Sequence, residues 1–544
     1  MDKLELVKQL RSGDFSSLTE IKKIVSEDLI SINQEFISLF KDDTTKVTRD
    51  FWRKKAKPFT ESDLTLIGWR NFTTFKEEIL GKDEDNSIRR EDMDIVKQFT
   101  SKNKTYFVTS VIIGERLGID LYNSIKTFAK TRKADIVILP MKPLSKDGEW
   151  TNEEYELLSP YLATEFVFNS NLMAYDFMLN SQMSNPLTGL GRYGQKEFSL
   201  IVASPKQQMI SVPVSPSRMP HILLSTGSMS IPEYRKSRVG RFSEQDHILG
   251  GVVVETKGDL FHVRHIQANK DKSFRDLNTI YYPDGLSLPM EDSEAIVLGD
   301  WHNGFTDPTA RKSSFEQIKF YNPKLVFLHD FVDSYSISHH TQHDIKTKVR
   351  RNESKFATLE NELNMAVMEL EVFVKQFPNV KFKIVASNHS PDHIVRYLSE
   401  GRWIEDTINT KFSIDLFRDV VDGKDPVEEY IFRKSPGLRG NVEFLKRDQD
   451  VYVEGILCSS HGDKASGSSR GATPIGKELS FGSSVTGHSH TVSILRNAWT
   501  VGTNSYLTLD YTVGNPTSWI HANCVIFREG RRQMLISVNG KWKG

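Results

Sequence analysis

Over residues 1 to about 100 the apolar positions recur at helical spacing, as in Leu18, Ile21, Ile24, Leu29 and Ile32, with Lys, Glu and Asp between them. That period predicts a helical N-terminal region. From residue 101 the texture changes to short apolar runs separated by helical stretches: TYFVTSVII, ADIVILP, FSLIVAS, HILLST and GGVVVET. Such alternation predicts a mixed α/β domain over 101–289. Within it, GGVVVETKGDLFHVRHI places a Lys257-Gly258-Asp259 turn between two β-rich runs and predicts a hairpin.

A third region, 290–544, repeats one form. EAIVLGDWHNG, KLVFLHD, KFKIVASNH, VYVEGILCSSHGD and SSVTGHSH are apolar runs that end abruptly in Asp, Asn or His. Buried strands that deliver side chains at their carboxyl ends read this way. Between the second and third runs, Phe356, Leu359, Leu363, Ala366, Leu370, Phe373 and Phe377 follow alternating spacings of three and four, which predicts a helix packed on the sheet or on a partner.

Composition narrows the function classes. With 544 residues, 38% of them hydrophobic, the chain has core material for several domains. Its 71 Lys+Arg balance 71 Asp+Glu, so a polyanion would have to be held by a local patch. The two cysteines, Cys458 and Cys524, lie far apart with no CxxC pair, which excludes a disulfide scaffold and a thiolate zinc site and fits a reducing compartment. No apolar run reaches transmembrane length and the first residues carry no apolar signal region, so a soluble cytoplasmic protein with no membrane contact is expected.

The strand-end residues are all oxygen or imidazole donors: Asp300 and His302 in GDWH, Asp330 in LHD, Asn388 and His389 in SNH, His461 in SSHGD, His488 and His490 in GHSH. In a strand, residues i and i+2 share a face, so D-x-H and H-x-H can each aim two side chains at one ion. Two such pairs suggest two adjacent ions, with an Asp between them giving one oxygen to each. Phosphate-ester hydrolysis needs this arrangement: two cations about 3.5 to 4 Å apart neutralise the phosphoryl oxygens and lower the pKa of a shared water toward 7. His389 would lie near the leaving oxygen and donate a proton there. A single strand-end histidine is ordinarily structural. The argument rests on the ordered set, spaced by 30, 58, 73 and 27 residues from Asp300 to Asp330, Asn388, His461 and His488.

Two further motifs are weaker. GLGRYG at 189–194 matches a dinucleotide-binding pattern but follows SNPLT rather than a strand, and is read as a turn. GATPIGK at 471–477 resembles a P-loop, yet Glu478 stands where a magnesium-binding hydroxyl belongs, and Pro474 beside a Gly/Ser loop suggests an irregular connection.

The series Asp300-x-His302, Asp330, Asn388-His389, His461 and Gly487-His488-x-His490 resembles the calcineurin-like metallophosphoesterase superfamily over roughly residues 290–540. The resemblance implies a pair of facing mixed β-sheets flanked by helices. It also implies a first metal on Asp300, His302, Asp330 and His490, a second on Asp330, Asn388, His461 and His488, and His389 as the catalytic histidine. The chain departs from the family pattern at His329, Ser387 and Ser390, where the family commonly has glycine, glycine and an acid. Asp392 is then a candidate to orient His389. Asp307 and Asp333 follow ligands closely and could orient them. His339, His340 and His343 form either a solvated loop or part of the substrate cleft.

Fold alone does not choose among protein phosphatases, nucleotide phosphodiesterases and nucleases. Basic stretches at Arg235, Lys236, Arg238 and Arg241, at Lys346, Lys348, Arg350 and Arg351, and at Arg531 and Arg532 could hold a phosphate backbone. So could Trp52 and Trp69 in their basic settings, although half-buried indoles of a helical domain explain them equally well. About 290 residues precede the phosphoesterase region, enough to handle a polymer, build a homo-oligomer or engage a host or phage protein. The segments GDWHNGFTDP and NCVIFREGRRQMLISVNGKWKG resemble phage-encoded metallophosphoesterases that degrade host DNA. That implies a manganese-dependent DNase in the host bacterial cytoplasm. The donor set itself suits Mn, Fe or Zn. A phosphatase or small-substrate phosphodiesterase, and a scaffold with a structural metal site, are the alternatives.

Overall fold

The computed structural model describes residues 96–98 and 103–544, apart from 145–148, 195–197, 216–219, 291–292, 340–342, 354–356, 467–472 and 510–511. The expected helical region over 1–100, with Trp52 and Trp69, lies outside the described residues except at its end. There Val96–Gln98 is a strand paired in parallel with Glu165–Asn169. Met93–Gly544 forms one compact unit of mixed α/β structure.

The sheet that places the strand-end residues has six strands, in the order Val442–Phe444, Lys381–Ile384, Leu325–Leu328, Ala295–Leu298, His521–Ile526 and Arg532–Ser537. The first four run parallel, His521–Ile526 runs antiparallel to them, and Arg532–Ser537 is antiparallel to His521–Ile526. Its strands Ala295–Leu298, His521–Ile526 and Arg532–Ser537 are buried on both faces. Ala295, Val297, Phe327, Cys524, Met534 and Ile536 point into one apolar cluster, while Ile296, Leu298, Val326, Leu328, Val525 and Leu535 point into another. A one-residue slip would exchange the two sets, so the register is well specified.

The second cluster is closed by helices. Leu363, Ala366, Leu370 and Phe373 of the helix Leu359–Gln376 carry the predicted stripe onto the sheet, beside Ile318 and Tyr321 of the helix Pro308–Tyr321. Phe356, at the start of the predicted stripe, lies outside the described residues. Asp307 caps the earlier helix, its Oδ1 accepting from the amides of Thr309 and Ala310.

The first cluster is closed by an eleven-stranded sheet, through Ile201, Leu224, Val485, Ile494 and Trp499. In that sheet Gln208–Val212 pairs antiparallel with Ser493–Leu495. A continuous ladder therefore crosses the boundary expected near residue 290, and no break in packing separates 101–289 from 290–544. The hairpin predicted at Gly250 is present, with Gly250–Lys257 antiparallel to Leu260–Gln267. Gly191–Gly194 is a single helical turn that follows a turn rather than a strand, as read for GLGRYG.

Candidate metal centre

Asp300 and Asp330 each stand two residues beyond the end of one of two adjacent parallel strands, Ala295–Leu298 and Leu325–Leu328, so their loops leave the sheet side by side. Backbone bonds join these loops: the amides of Trp301, His302 and Asn303 donate to the carbonyls of His329, Asp330 and Phe331 at 2.9, 2.8 and 2.9 Å. The other half of the site comes from the larger sheet. His461 follows the strand Ile456–Leu457, and Gly487-His488 follows Ser484–Thr486. The Gly487 amide donates to the His461 carbonyl at 2.9 Å. Gly487 is required by close approach, since a Cβ there would fall 2.2 Å from Asp300 Oδ1 and 3.1 Å from the Cβ of His329.

His302, Asp330, His488 and His490 all have left-handed backbones, with φ of 45°, 42°, 76° and 56°. This region disfavours side chains with a Cβ, at about 1 to 3 kcal/mol each, and such conformations concentrate where the surrounding structure imposes them for function. The knitted loops impose it here.

Asp300, His302, Asp330 and His490, all buried, each place one donor atom within 4.8 Å of the others. Asp330, His461 and His488 form a second such group that shares Asp330 with the first. His490 Nε2 lies 3.2 Å from Asp300 Oδ2, and His461 Nε2 lies 3.1 Å from Asp330 Oδ2. Despite this crowding, both Asp300 oxygens, Asp330 Oδ1, His461 Nε2 and Asn388 Oδ1 are buried without an aligned hydrogen bond. Buried polar atoms are rarely left so, and a cation supplies the missing partner for oxygens and unprotonated imidazole nitrogens. The donor set fits divalent metal ions.

The charges agree. Burial opposes ionisation of Asp300, yet the imidazoles of His490 and His461 hold it below the usual carboxylate range. Asp330 is likewise depressed against its burial, by His461, His389 and His302. His488 is pushed down to about 4 by burial and by His461. Burial also lowers His490, against the pull of Asp300, so both imidazoles of the GHSH loop favour the neutral form that ligates metal.

His389 Nδ1 donates to the backbone carbonyl of Asp333 at 2.7 Å and lies 3.3 Å from the Asp333 carboxylate. That carboxylate also reaches His302 Nδ1 at 3.5 Å. Burial works against protonation of His389, but Asp330 and Asp333 together raise it to about 10. Asp333 is therefore the acid in contact with the His389 ring. Asp392 is not: it opens the helix Asp392–Ser399 and pairs with Arg447 at 2.8 Å and Lys464 at 3.3 Å.

Three features of the site carry no clear signal in the sequence. His329, which stands out there only as a departure from glycine, places an imidazole beside Asp300 and His461, and burial and His461 push it down to about 3. The His393 ring lies tilted 4.7 Å from the His389 ring, and His339 stands edge-on to His393 at 5.1 Å. His343 is exposed, and His340 lies outside the described residues.

The third is Lys477. Pro474–Phe481 is a helix with Pro474 in its first turn and Thr473 as its cap, rather than the irregular connection expected. Lys477 points inward, 2% exposed, and donates to the Gly487 carbonyl at 3.1 Å and Thr500 Oγ1 at 3.2 Å. Gly462, with φ 96°, leaves room for the ammonium, which would sit 2.9 Å from a Cβ there.

Of the basic stretches, Arg235, Lys236, Arg238 and Arg241 are exposed, as are Lys346, Lys348 and Arg350. Arg532 is not part of a surface patch: it is buried over the Trp499 ring and donates to the carbonyls of Ser484 and Asn497.

No known family profile matches the chain. Among the described residues, no helix is long and apolar enough to cross a membrane. Protein A1 of Escherichia phage T5 is similar to this chain, 26% identical over 365 residues that span 63% of the chain and 64% of that protein. The match thus covers less than two thirds of the relative's length.

Proposed function

We propose that this protein is a metal-dependent phosphodiesterase of the calcineurin-like metallophosphoesterase type, acting as a DNA nuclease in the cytoplasm of a phage-infected bacterium. The observation that carries the reading is the convergence of Asp300, His302, Asp330 and His490 with Asp330, His461 and His488, two donor groups sharing one carboxylate. Two apolar sheets packed face to face, with helices on the outer face of the six-stranded one, support the same fold type. Phage context comes from the similarity to Protein A1 of phage T5.

In this reading Asp300, His302, Asp330 and His490 hold one divalent ion, and Asp330, Asn388, His461 and His488 hold a second, with manganese the proposed metal. Bound there, the ions supply Lewis acidity toward the phosphoryl oxygens. The chain's own groups do the rest. Asp333 fixes the His389 ring through Nδ1, which leaves Nε2 to carry a proton toward the leaving oxygen. The His302 ring stands edge-on to His389 at 4.9 Å and limits its rotation. Trp519 covers the outer side of His490, ring to ring at 4.1 Å, and shields it from solvent.

A digestion time course on circular and linear DNA with manganese tests the reading. Parent protein is expected to degrade DNA and Asp330→Ala to leave it intact. Hydrolysis of aryl phosphoesters with no action on any DNA would instead favour a phosphatase or small-substrate phosphodiesterase.

A further inference from the structure

The stretch Ser334–Ile337 lies against the loop that carries His389. The Ser334 hydroxyl donates to the His389 carbonyl at 3.1 Å, and Tyr335–Ile337 forms a 3-10 turn whose Tyr335 and Ser336 amides are held by Glu362 at 2.9 and 2.6 Å. Later in the chain, Ile345–Asn352 is a helix capped by Asp344. Arg351 donates to the Ser336 carbonyl, tying the helix back to that turn.

The helix is built inside out. Thr347 is 5% exposed and bonds to Asp344, whereas Ile345 is 74% exposed and Val349 50%. At 3.6 residues per turn, Thr347 and Arg351 mark the inner side and Ile345 and Val349 the opposite, outer edge. Lys346 and Lys348 fall on either side of that edge, both exposed. The eight residues IKTKVRRN include four cations and no acid. An apolar ridge between cations suits a nucleic acid: the cations meet phosphates, and the aliphatic side chains meet sugars and base edges. Two apolar residues are too few to anchor a helix on a membrane.

We infer that the helix Ile345–Asn352 seats the phosphodiester backbone of the DNA substrate beside the metal centre. This rests on the nuclease reading above. The helix lies one turn of chain from the bonds that fix His389, so a strand gripped on it is presented to the site rather than held at a distance.

Salt titration of binding to a fluorescent DNA duplex tests the inference, using full-length parent protein, Lys346→Glu/Lys348→Glu and Ile345→Ala/Val349→Ala. The lysine pair is expected to weaken binding and to reduce the slope of log affinity on log salt by about two. The apolar pair is expected to weaken binding with the slope unchanged. Melting temperature and bound metal confirm that each variant is folded. Parent-like affinity and slope in the lysine variant would overturn the inference and point to a protein partner for this helix. Hydrolysis of bis(p-nitrophenyl) phosphate by the parent separates the two readings: activity there without salt-sensitive DNA binding overturns the helix assignment and leaves the phosphodiesterase site standing. A parent inactive on both DNA and the aryl diester overturns both.

Discussion

His302 Nε2 and His490 Nε2, 188 residues apart in the chain, face each other at 2.9 Å. At that distance one ring can donate to the other, or both can turn a lone pair to one ion between them, beside the carboxylates of Asp300 and Asp330. Two nitrogens ligating one ion at about 2.1 Å and at right angles stand about 3.0 Å apart. The rings are therefore set as metal ligands are. Chelation is expected to lower the melting temperature of the parent protein, by an amount reflecting about 2.7 kcal/mol if the free metal had stood at a hundred times its Kd. The chelation shift should shrink in His302→Ala/His490→Ala, which keeps only the donor group of Asp330, His461 and His488. A parent protein whose melting is indifferent to chelation would contradict this pairing.

Asp333 holds His389 by its backbone and lies within reach of it by its carboxylate. Asp333→Asn removes the charge while keeping the carbonyl bond. Turnover is expected to fall roughly 10- to 100-fold, with KM little changed. The sign of the pH effect follows from the raised His389: losing a neighbouring anion lowers that value, so the alkaline limb of the kcat profile should move to lower pH. An unmoved limb would remove Asp333 from its orienting role.

Lys477 is a buried cation whose bonds to Gly487 and Thr500 hold the loop that carries His488 and His490. Lys477→Met removes a buried donor from the Gly487 carbonyl and Thr500 Oγ1, which keep the Ser489 amide at 3.1 Å and the Thr486 hydroxyl at 3.4 Å, so a cost of about 1 kcal/mol per lost bond is expected. Urea unfolding should show the loss, and manganese titration should show weaker binding. Unchanged metal affinity would confine Lys477 to the fold.

Glu362 is buried beneath the Tyr335–Ile337 turn, and burial raises it to about 7 despite the amides of Tyr335 and Ser336. The folded state then holds this proton over a window in which the unfolded chain, near 4.5, has released it. Stability is expected to fall as pH rises from about 4.5 to about 7, by up to about 3 kcal/mol from this group. Denaturant unfolding across that window, compared with Glu362→Gln, measures it; equal slopes in the two proteins would contradict the assignment.

Much of the candidate site is legible in the sequence because strand-end donors announce themselves: an apolar run that stops at Asp, Asn or His has a place on a sheet edge. The orienting acid is not legible in this way. Asp392, near His389 in sequence, starts a helix and turns toward Arg447, whereas Asp333, 56 residues away, is brought in by the neighbouring strand. Lys477 is hidden for a related reason: a short glycine-rich pattern does not say which side of its helix faces inward. Arg532 reads as surface charge next to Arg531, but it opens a strand buried on both faces and lies over the Trp499 ring. A division at residue 290 misses the ladder between Gln208–Val212 and Ser493–Leu495, since pairing between distant strands leaves no local signal.

The claim on which the rest depends is that two divalent ions share Asp330. Elemental analysis of full-length protein equilibrated with manganese and freed of unbound metal tests it most directly. Two manganese ions per chain are predicted in the parent and fewer in Asp330→Ala; a parent protein that retains none, or that binds as much metal without Asp330 as with it, would contradict the account.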